Sequence, residues 1–241
     1  MSVGFIVEAP SLVGHDPVTG FGDSEFSVRF IHKSDGDKLV RRLHYSGSPV
    51  WSSSLHLGVF IGSDCIGVLQ FGPPMNPAAA SSVVRGSTPD QSLELNRMVF
   101  EERKPINCGS RAIAYAIRFI RRTRPKVEWI QSFADERCGK FGAVYQAAGF
   151  LYLGEHSTTF YRLDEEWFHK SLLGRKEYDK RGWRSGQKAM RLRGREADAI
   201  PHTFRQFRYF RPLTKWARTN LLLKSLPYPK PNSSNAGEGS A

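Results

Sequence analysis

The sequence predicts an α+β fold: a mixed β-sheet flanked by helices, followed by a basic C-terminal extension. Three observations predict it. Apolar residues recur with a period of two in some stretches and near 3.6 in others, and the two patterns alternate along the chain. Residues 127–153 hold a complete strand–loop–helix–strand unit. Basic residues are concentrated late. Residues 170–230 hold 17 Lys+Arg and 4 Asp+Glu, a net of +13, whereas the remainder holds 18 and 19, a net of −1. With 241 residues, 40% hydrophobic and 12% aromatic, the chain can bury one sizeable core.

In chain order, residues 1–24 mix a short apolar start with Gly, Pro and Asp and support one strand at most. This start has no basic leader, and no run of apolar residues is long enough to span a bilayer. Glu25 to His32 alternates as a strand. Asp35 or Asp37 can cap a short helix that carries Leu39, Val40 and Leu43 on one face and stops at Gly47. Leu55–Ile61 and Cys65–Phe71 form a hairpin around Gly62-Ser63-Asp64. Residues 73–90 are rich in Pro, Ala, Ser and Gly and form a long loop, which in a compact domain tends to be functional or mobile. Leu93 to Phe100 is a strand.

Ser110 to Arg122 is the clearest helix, with an apolar stripe and three arginines late in it, where they suit the helix dipole. Val127 to Gln131 is a buried strand that ends in Ser132-Phe133-Ala134-Asp135. Ala143 to Ala148 is a short helix stopped by Gly149, and Phe150 to Leu153 is a strand. Ser157 to Leu163 is a last strand, expected to pair with Leu151 to Gly154, and a short helix is expected over 164–173. Beyond it, basic and aromatic residues interleave. The division expected is a catalytic domain over 1–168, a basic extension over 169–226 and a disordered tail over 227–241. Three cysteines, far apart and odd in number, suggest neither a zinc ribbon nor a disulfide framework.

The polar groups that stand out lie at element ends. Asp135 closes a strand at the sheet edge, where α/β proteins build sites; it is also suited to capping the next turn. Tyr145 lines a site or packs. His44 and Tyr45 end a helix together. Arg97 on a sheet face needs an anion, or an ion pair with Glu94 or Glu101. Ser110 is a helix N-cap or a hydrogen-bond donor to a ligand. A net of +13 in the late segment points to a polyanion, nucleic acid before membrane surface.

The element order is similar to that of GNAT acyltransferases, in which the helix after the fourth strand meets coenzyme A pyrophosphate. HYSG at 44–47, GVLQFG at 67–72, ELNRMVF at 94–100, SRAIAYAIRFIRR at 110–122, SFAD at 132–135 and GAVYQAAGF at 142–150 resemble the Mom family. The resemblance covers nearly the whole chain. It implies an enzyme, in the cytoplasm of an infected bacterial host, that adds a carbamoylmethyl group to N6 of adenine in double-stranded DNA and so protects phage DNA from restriction. It also implies iron, for which His44, Tyr45, Asp135 and Tyr145 are the candidate ligands. Asp135, Tyr145, Tyr45 and Ser110 are the candidate catalytic residues, and Arg97 and Ser110 the candidate donor-binding ones. The GNAT phosphate loop is glycine-rich; here the matching stretch, EERKPINCGSRA, has a single glycine, which argues against acetyl coenzyme A and leaves the group donor open.

Candidate DNA contacts are Arg181, Trp183, Arg184, Lys188, Arg191, Arg193, Arg205 and Arg208. Chemistry on a paired N6 amine requires base flipping, with Trp183 or an aromatic of the 204–210 cluster stacking on the base or replacing it. The oligomeric state is open, a dimer included. Two alternatives stand beside this reading: a conventional acyl-CoA-dependent N-acyltransferase acting on a small amine or protein, and a non-enzymatic DNA-binding anti-restriction protein.

Overall fold

A computed structural model describes residues 4–7, 18–139, 141–173 and 190–230. These form one ten-stranded mixed sheet flanked by helices, the α+β arrangement that the alternating periodicities predict. The strands are β1 (Gly4–Val7), β2 (Val18–Gly22), β3 (Phe26–Phe30), β4 (Leu55–Ile61), β5 (Asp64–Gly72), β6 (Ser92–Phe100), β7 (Trp129–Asp135), β8 (Leu151–Leu163), β9 (Glu166–His169) and β10 (Ile200–Pro212). Their order in space is β1-β2-β3-β4-β5-β6-β7-β10-β8-β9. Neighbours are antiparallel except β6 and β7, which run parallel. A parallel pair needs a crossover, and here it contains α3 (Cys108–Thr123).

The two faces of the sheet carry different helices. The apolar stripe of α3 (Ala112, Ile113, Ala116 and Ile120) packs over Val28, Leu57, Leu69, Leu95 and Ile130. On the opposite face α1 (Lys33–Leu43) packs Val40 against Val68 and Val99. The cap of α1 is His32, whose Nδ1 accepts from Ser34 N; Asp35 and Asp37 pair with Lys38 and Lys33 instead of capping. The turn at Gly62 joins β4 to β5 as expected.

Four segments differ from expectation. Residues 1–24 contain two strands, β1 and β2, not one at most. Residues 73–90 include α2 (Ala80–Val83), which buries Ala80, Val83 and Val84 against Trp129 and Phe210, so this stretch is packed, not loose. Residues 151–163 form a single strand: Gly154 (φ +98°) makes a bulge opposite β10 instead of a turn, so 157–163 does not fold back on 151–154. In 164–173, where a short helix was expected, a turn at Asp164-Glu165, both at positive φ, leads into β9, and only Lys170–Leu172 is helical, as one 3-10 turn.

The basic segment 169–226 also does more than extend the domain. Its β10 lies inside the sheet, paired with β7 on one side and β8 on the other, and it buries Phe207, Tyr209 and Phe210 completely. It is followed by α5 (Lys215–Thr219), whose Ala217 joins the cluster around Trp129. At the start of the expected tail, Tyr228 Oη donates to Phe150 O at 2.7 Å; residues 231–241 lie outside the described residues. No described helix is long and apolar enough to cross a membrane.

Because β10 is an internal strand, Phe207→Ala should cost about 3–5 kcal/mol of stability, the usual range for truncating a buried aromatic. Urea unfolding measures it; a loss under about 1 kcal/mol, the range typical of surface changes, would contradict an internal β10.

Candidate active site

The site begins where the parallel pair parts. Ser92, Leu93 and Glu94 are in register with Trp129, Ile130 and Gln131, and beyond them β6 and β7 diverge. Into the gap open the loop after α1, the N-terminus of α3, and the face of β7, β10 and β8 that carries Phe133, Asp135, Gln206, Arg208 and His156. The resulting cleft has a volume of about 3000 Å³. Small-molecule sites span roughly 300–1000 Å³, so this one has room for part of a macromolecule.

Asp135 is the most constrained group in the cleft. It ends β7, so strand alternation places it on the same face as Phe133 and Gln131. Only 7% of it is exposed. Its Oδ1 accepts from the backbone N–H and Nε of Arg137, both at 3.0 Å, and its Oδ2 from Arg137 Nη2 and, at 3.0 Å, from Tyr45 Oη. Burial pushes the carboxyl upward, but the hydrogen bonds and charge of Arg137 outweigh it and hold Asp135 below the usual carboxylate range. Arg137 is itself enclosed: its Cζ lies 3.5 Å from the Phe160 ring centroid, 5.3 Å from Tyr45 and 5.6 Å from Phe204. Tyr45 presents an exposed ring but turns its hydroxyl to Asp135; desolvation of that hydroxyl, then the adjacent carboxylate, raise its pKa.

The other expected residues gather round. His44 packs against Tyr45 with ring centroids 4.3 Å apart and the planes tilted by 32°. Burial, then the positive charge of Arg97, push its pKa down to about 3, so it is neutral. Its Nδ1 accepts from Ser46 N at 3.1 Å, which places the proton of the neutral ring on Nε2. Tyr145 sits on α4 (Ala143–Ala147), packed on Tyr209 at 5.2 Å, with its hydroxyl bonded to Ser132 and its pKa pushed up to about 12 by burial. Arg97 donates to Ser48 O at 3.0 Å and Asn96 O at 2.7 Å; neither expected ion pair, with Glu94 or Glu101, forms. Ser110 Oγ donates to Asn107 O, and Asn107 is the helix N-cap. Gly109 serves packing, since a Cβ there would lie 2.7 Å from Val144 Cγ2.

This donor set does not fit an iron ion as it is arranged. Both Asp135 oxygens are taken by Arg137 and Tyr45, and the outer nitrogen of His44 carries a proton. Among the described residues no three His, Cys, Asp or Glu side chains form a metal-binding group.

The candidate DNA contacts divide. Arg181, Trp183, Arg184 and Lys188 lie outside the described residues. Arg191 pairs with Glu166, and Arg193 is exposed. Arg205 is bound to Glu136, Nε to Oε1 at 2.9 Å, and so is engaged within the protein. Arg208 lies over the Phe133 ring at 5.3 Å, half-buried and with no carboxylate partner among the described residues. Three site residues were not singled out from the sequence. The signal for Arg137 is its place two residues after a strand-ending Asp. The signal for Phe133 is the period-two alternation that puts it on the face of Asp135. Glu94 is buried at the base of the split, bound by Gln131 Nε2 at 2.8 Å; burial raises its pKa against these bonds.

A mixed sheet that opens at its parallel pair over an arginine-clamped carboxylate defines an α+β protein with an active-site-like cleft. The chain belongs to the Mom protein family, whose model matches residues 25–230. It is 42% identical over 229 residues to the methylcarbamoylase Mom of Escherichia phage Mu, covering 93% of this chain and 92% of that one. Among solved structures it is similar to a ribosomal-protein-S5-alanine acetyltransferase from Vibrio fischeri (12% identity, TM-score 0.46, 82% of this chain and 98% of that one). It is also similar to a probable GNAT-family acetyltransferase from Chromobacterium violaceum (10% identity, TM-score 0.45, 89% and 99%).

The neutral His44 gives a signed pH dependence. Between pH 6.5 and about 3 the unfolded chain binds a proton that folded His44 refuses, so stability falls with pH across that window. Asp135, held below 3.8, loses its contribution only at lower pH. His44→Gln should therefore lose less stability than the parent between about pH 7 and about pH 5, measured by urea unfolding. Equal losses would contradict a neutral, half-buried imidazole.

Proposed function

We propose that this protein is a transferase that places a carbamoylmethyl group on N6 of adenine in double-stranded DNA, acting in the cytoplasm of the infected host to protect phage DNA from restriction. One observation carries the reading: a carboxylate kept charged and aimed by Arg137 and Tyr45, inside a cleft far larger than a metabolite needs. Membership of the Mom family and the methylcarbamoylase relative from phage Mu support it.

In this reading the extruded adenine stacks on Phe133, which shares a strand face with Asp135, and Arg208 beside that ring pairs with a phosphate. The amine attacks the methylene carbon of an activated carbamoylmethyl donor. A nitrogen–carbon bond forms, the bond from that carbon to its leaving group breaks, and the leaving group keeps the electron pair. The amine proton passes to Asp135. A carboxylate with a lowered pKa is a weak base, and it becomes a competent acceptor once attack has made the amine acidic. Tyr45 holds Asp135 in place, Tyr145 and Ser110 line the donor side, and Arg97 supplies positive charge for an anionic donor. No step is routed through iron.

The acyl-CoA alternative is weaker. It needs a backbone cradle for pyrophosphate at the start of α3, where the one glycine is committed to packing on Val144 and the Ser110 hydroxyl to Asn107. A DNA-binding decoy would have no need of a buried, clamped carboxylate.

DNA from cells expressing the chain, digested to nucleosides and measured by mass spectrometry, should contain adenosine heavier by an acetamide group. Asp135→Asn should lower that species by at least about 100-fold, the scale of general-base catalysis. Unmodified adenine with well-folded protein, or full modification by the variant, would defeat the reading.

A further inference from the structure

The rim of the cleft carries more exposed apolar surface than its position explains. Trp51 is 69% exposed, Met75 72% and Ile106 88%, and all three line the cleft mouth. A large apolar side chain held exposed at the edge of a cleft is a contact point for what the cleft binds.

Trp51 differs from the other two in how firmly it is held. It occupies the second position of a turn closed by Ser53 N donating to Val50 O at 3.2 Å. The loop is pinned on both sides of that turn. Upstream, Tyr45 Oη bonds Asp135 at 3.0 Å and Arg97 Nε bonds Ser48 O at 3.0 Å. Downstream, Ser54 N donates to Phe71 O at 2.8 Å. The backbone that carries the exposed indole is thus fixed by the same contacts that position Tyr45 and Arg97. Its occupant must suit a cleft whose cations include Arg97 and Arg208, both without carboxylate partners among the described residues, and these favour a polyanion.

An adenine that reaches Asp135 leaves a gap in its duplex, and the open stack has to be filled or it closes again. Apolar wedges do this in proteins that distort DNA, and an aromatic ring stacks on bases of any sequence. Of the described exposed side chains that line the cleft, Trp51 and Tyr45 have a π-face, and the Tyr45 ring lies against His44 and Arg137, which leaves Trp51. We propose that Trp51 inserts into the duplex and takes the place of the extruded adenine. This rests on the DNA-modifying reading above and adds to it the residue that drives extrusion.

The test uses the full chain and duplexes in which 2-aminopurine replaces one adenine, in every nearest-neighbour context; its fluorescence rises when it leaves the stack. In one set the probe faces thymine, and in the other an abasic site, where no pair has to be broken. The parent should raise fluorescence on both sets. Trp51→Ala should need about tenfold more protein on the paired set, the scale of one lost stacking partner, and match the parent on the abasic set. Trp51→Phe should restore most of the paired response. Parent-like behaviour of Trp51→Ala on both sets would overturn the wedge and leave the DNA-modifying reading intact. An equal loss on both sets would also overturn it, by making Trp51 a general contact. No rise with the parent protein in any context would overturn the wedge together with the reading it rests on.

Discussion

Parallel strands share hydrogen bonds only while they stay side by side, and β6 and β7 do so for three residues. The rest of the structure follows from that parting. Past Glu94 the backbone of β6 has no partner strand on that side, and side chains take over: Ser132 Oγ donates to Leu95 O at 3.1 Å and Arg97 Nη1 to Asn96 O. The crossover that a parallel pair requires brings the N-terminus of α3 to the same opening. Insertion of β10 beyond β7 gives the opening a floor, with Arg208 opposite Phe133 and Gln206 opposite Asp135. The cleft is therefore a property of the sheet, not of a loop laid over it.

Charge counted along the chain differs from charge available in the fold. The net of +13 over 170–230 suggests a continuous basic surface. In the structure Arg191, Arg195 and Arg205 are paired with Glu166, Asp164 and Glu136, acidic residues from other parts of the chain. Exposed pairs of this kind are worth about 0–1 kcal/mol each, so they shape the surface more than they stabilise it. Arg97 and Arg208, two described cations that face the cleft without carboxylate partners, are half-buried. Each stays charged in a place where desolvation lowers its pKa.

What was legible in the sequence follows from what is local. The α3 stripe, the β4–β5 hairpin and the Gly149 stop are set by neighbours within a few residues, and each was legible. Asp135, Tyr45 and His44 were legible as polar groups at element ends. The pairing of β10 was not, because its residues meet three surroundings: Phe207 and Tyr209 enter the main core, Phe210 packs on Trp129, and Gln206 and Arg208 face the cleft, so FRQFRYFR reads as a basic aromatic run. The β8 bulge was hidden for a similar reason, since Gly154 suits a turn or a bulge and the partner strand decides. Arg137 was missed because its role depends on a turn that folds it back onto Asp135, which composition does not encode.

In the proposed mechanism Tyr45 and Asp135 act as one unit at the split of the sheet. A double-mutant cycle tests it most directly, using the amount of modified adenosine formed in cells by Tyr45→Phe, Asp135→Asn and the pair, with DNA binding and folding checked for each. The double variant should be no worse than Asp135→Asn alone, because Tyr45 acts through that carboxylate. Losses that multiply across the two positions would show independent roles and contradict it.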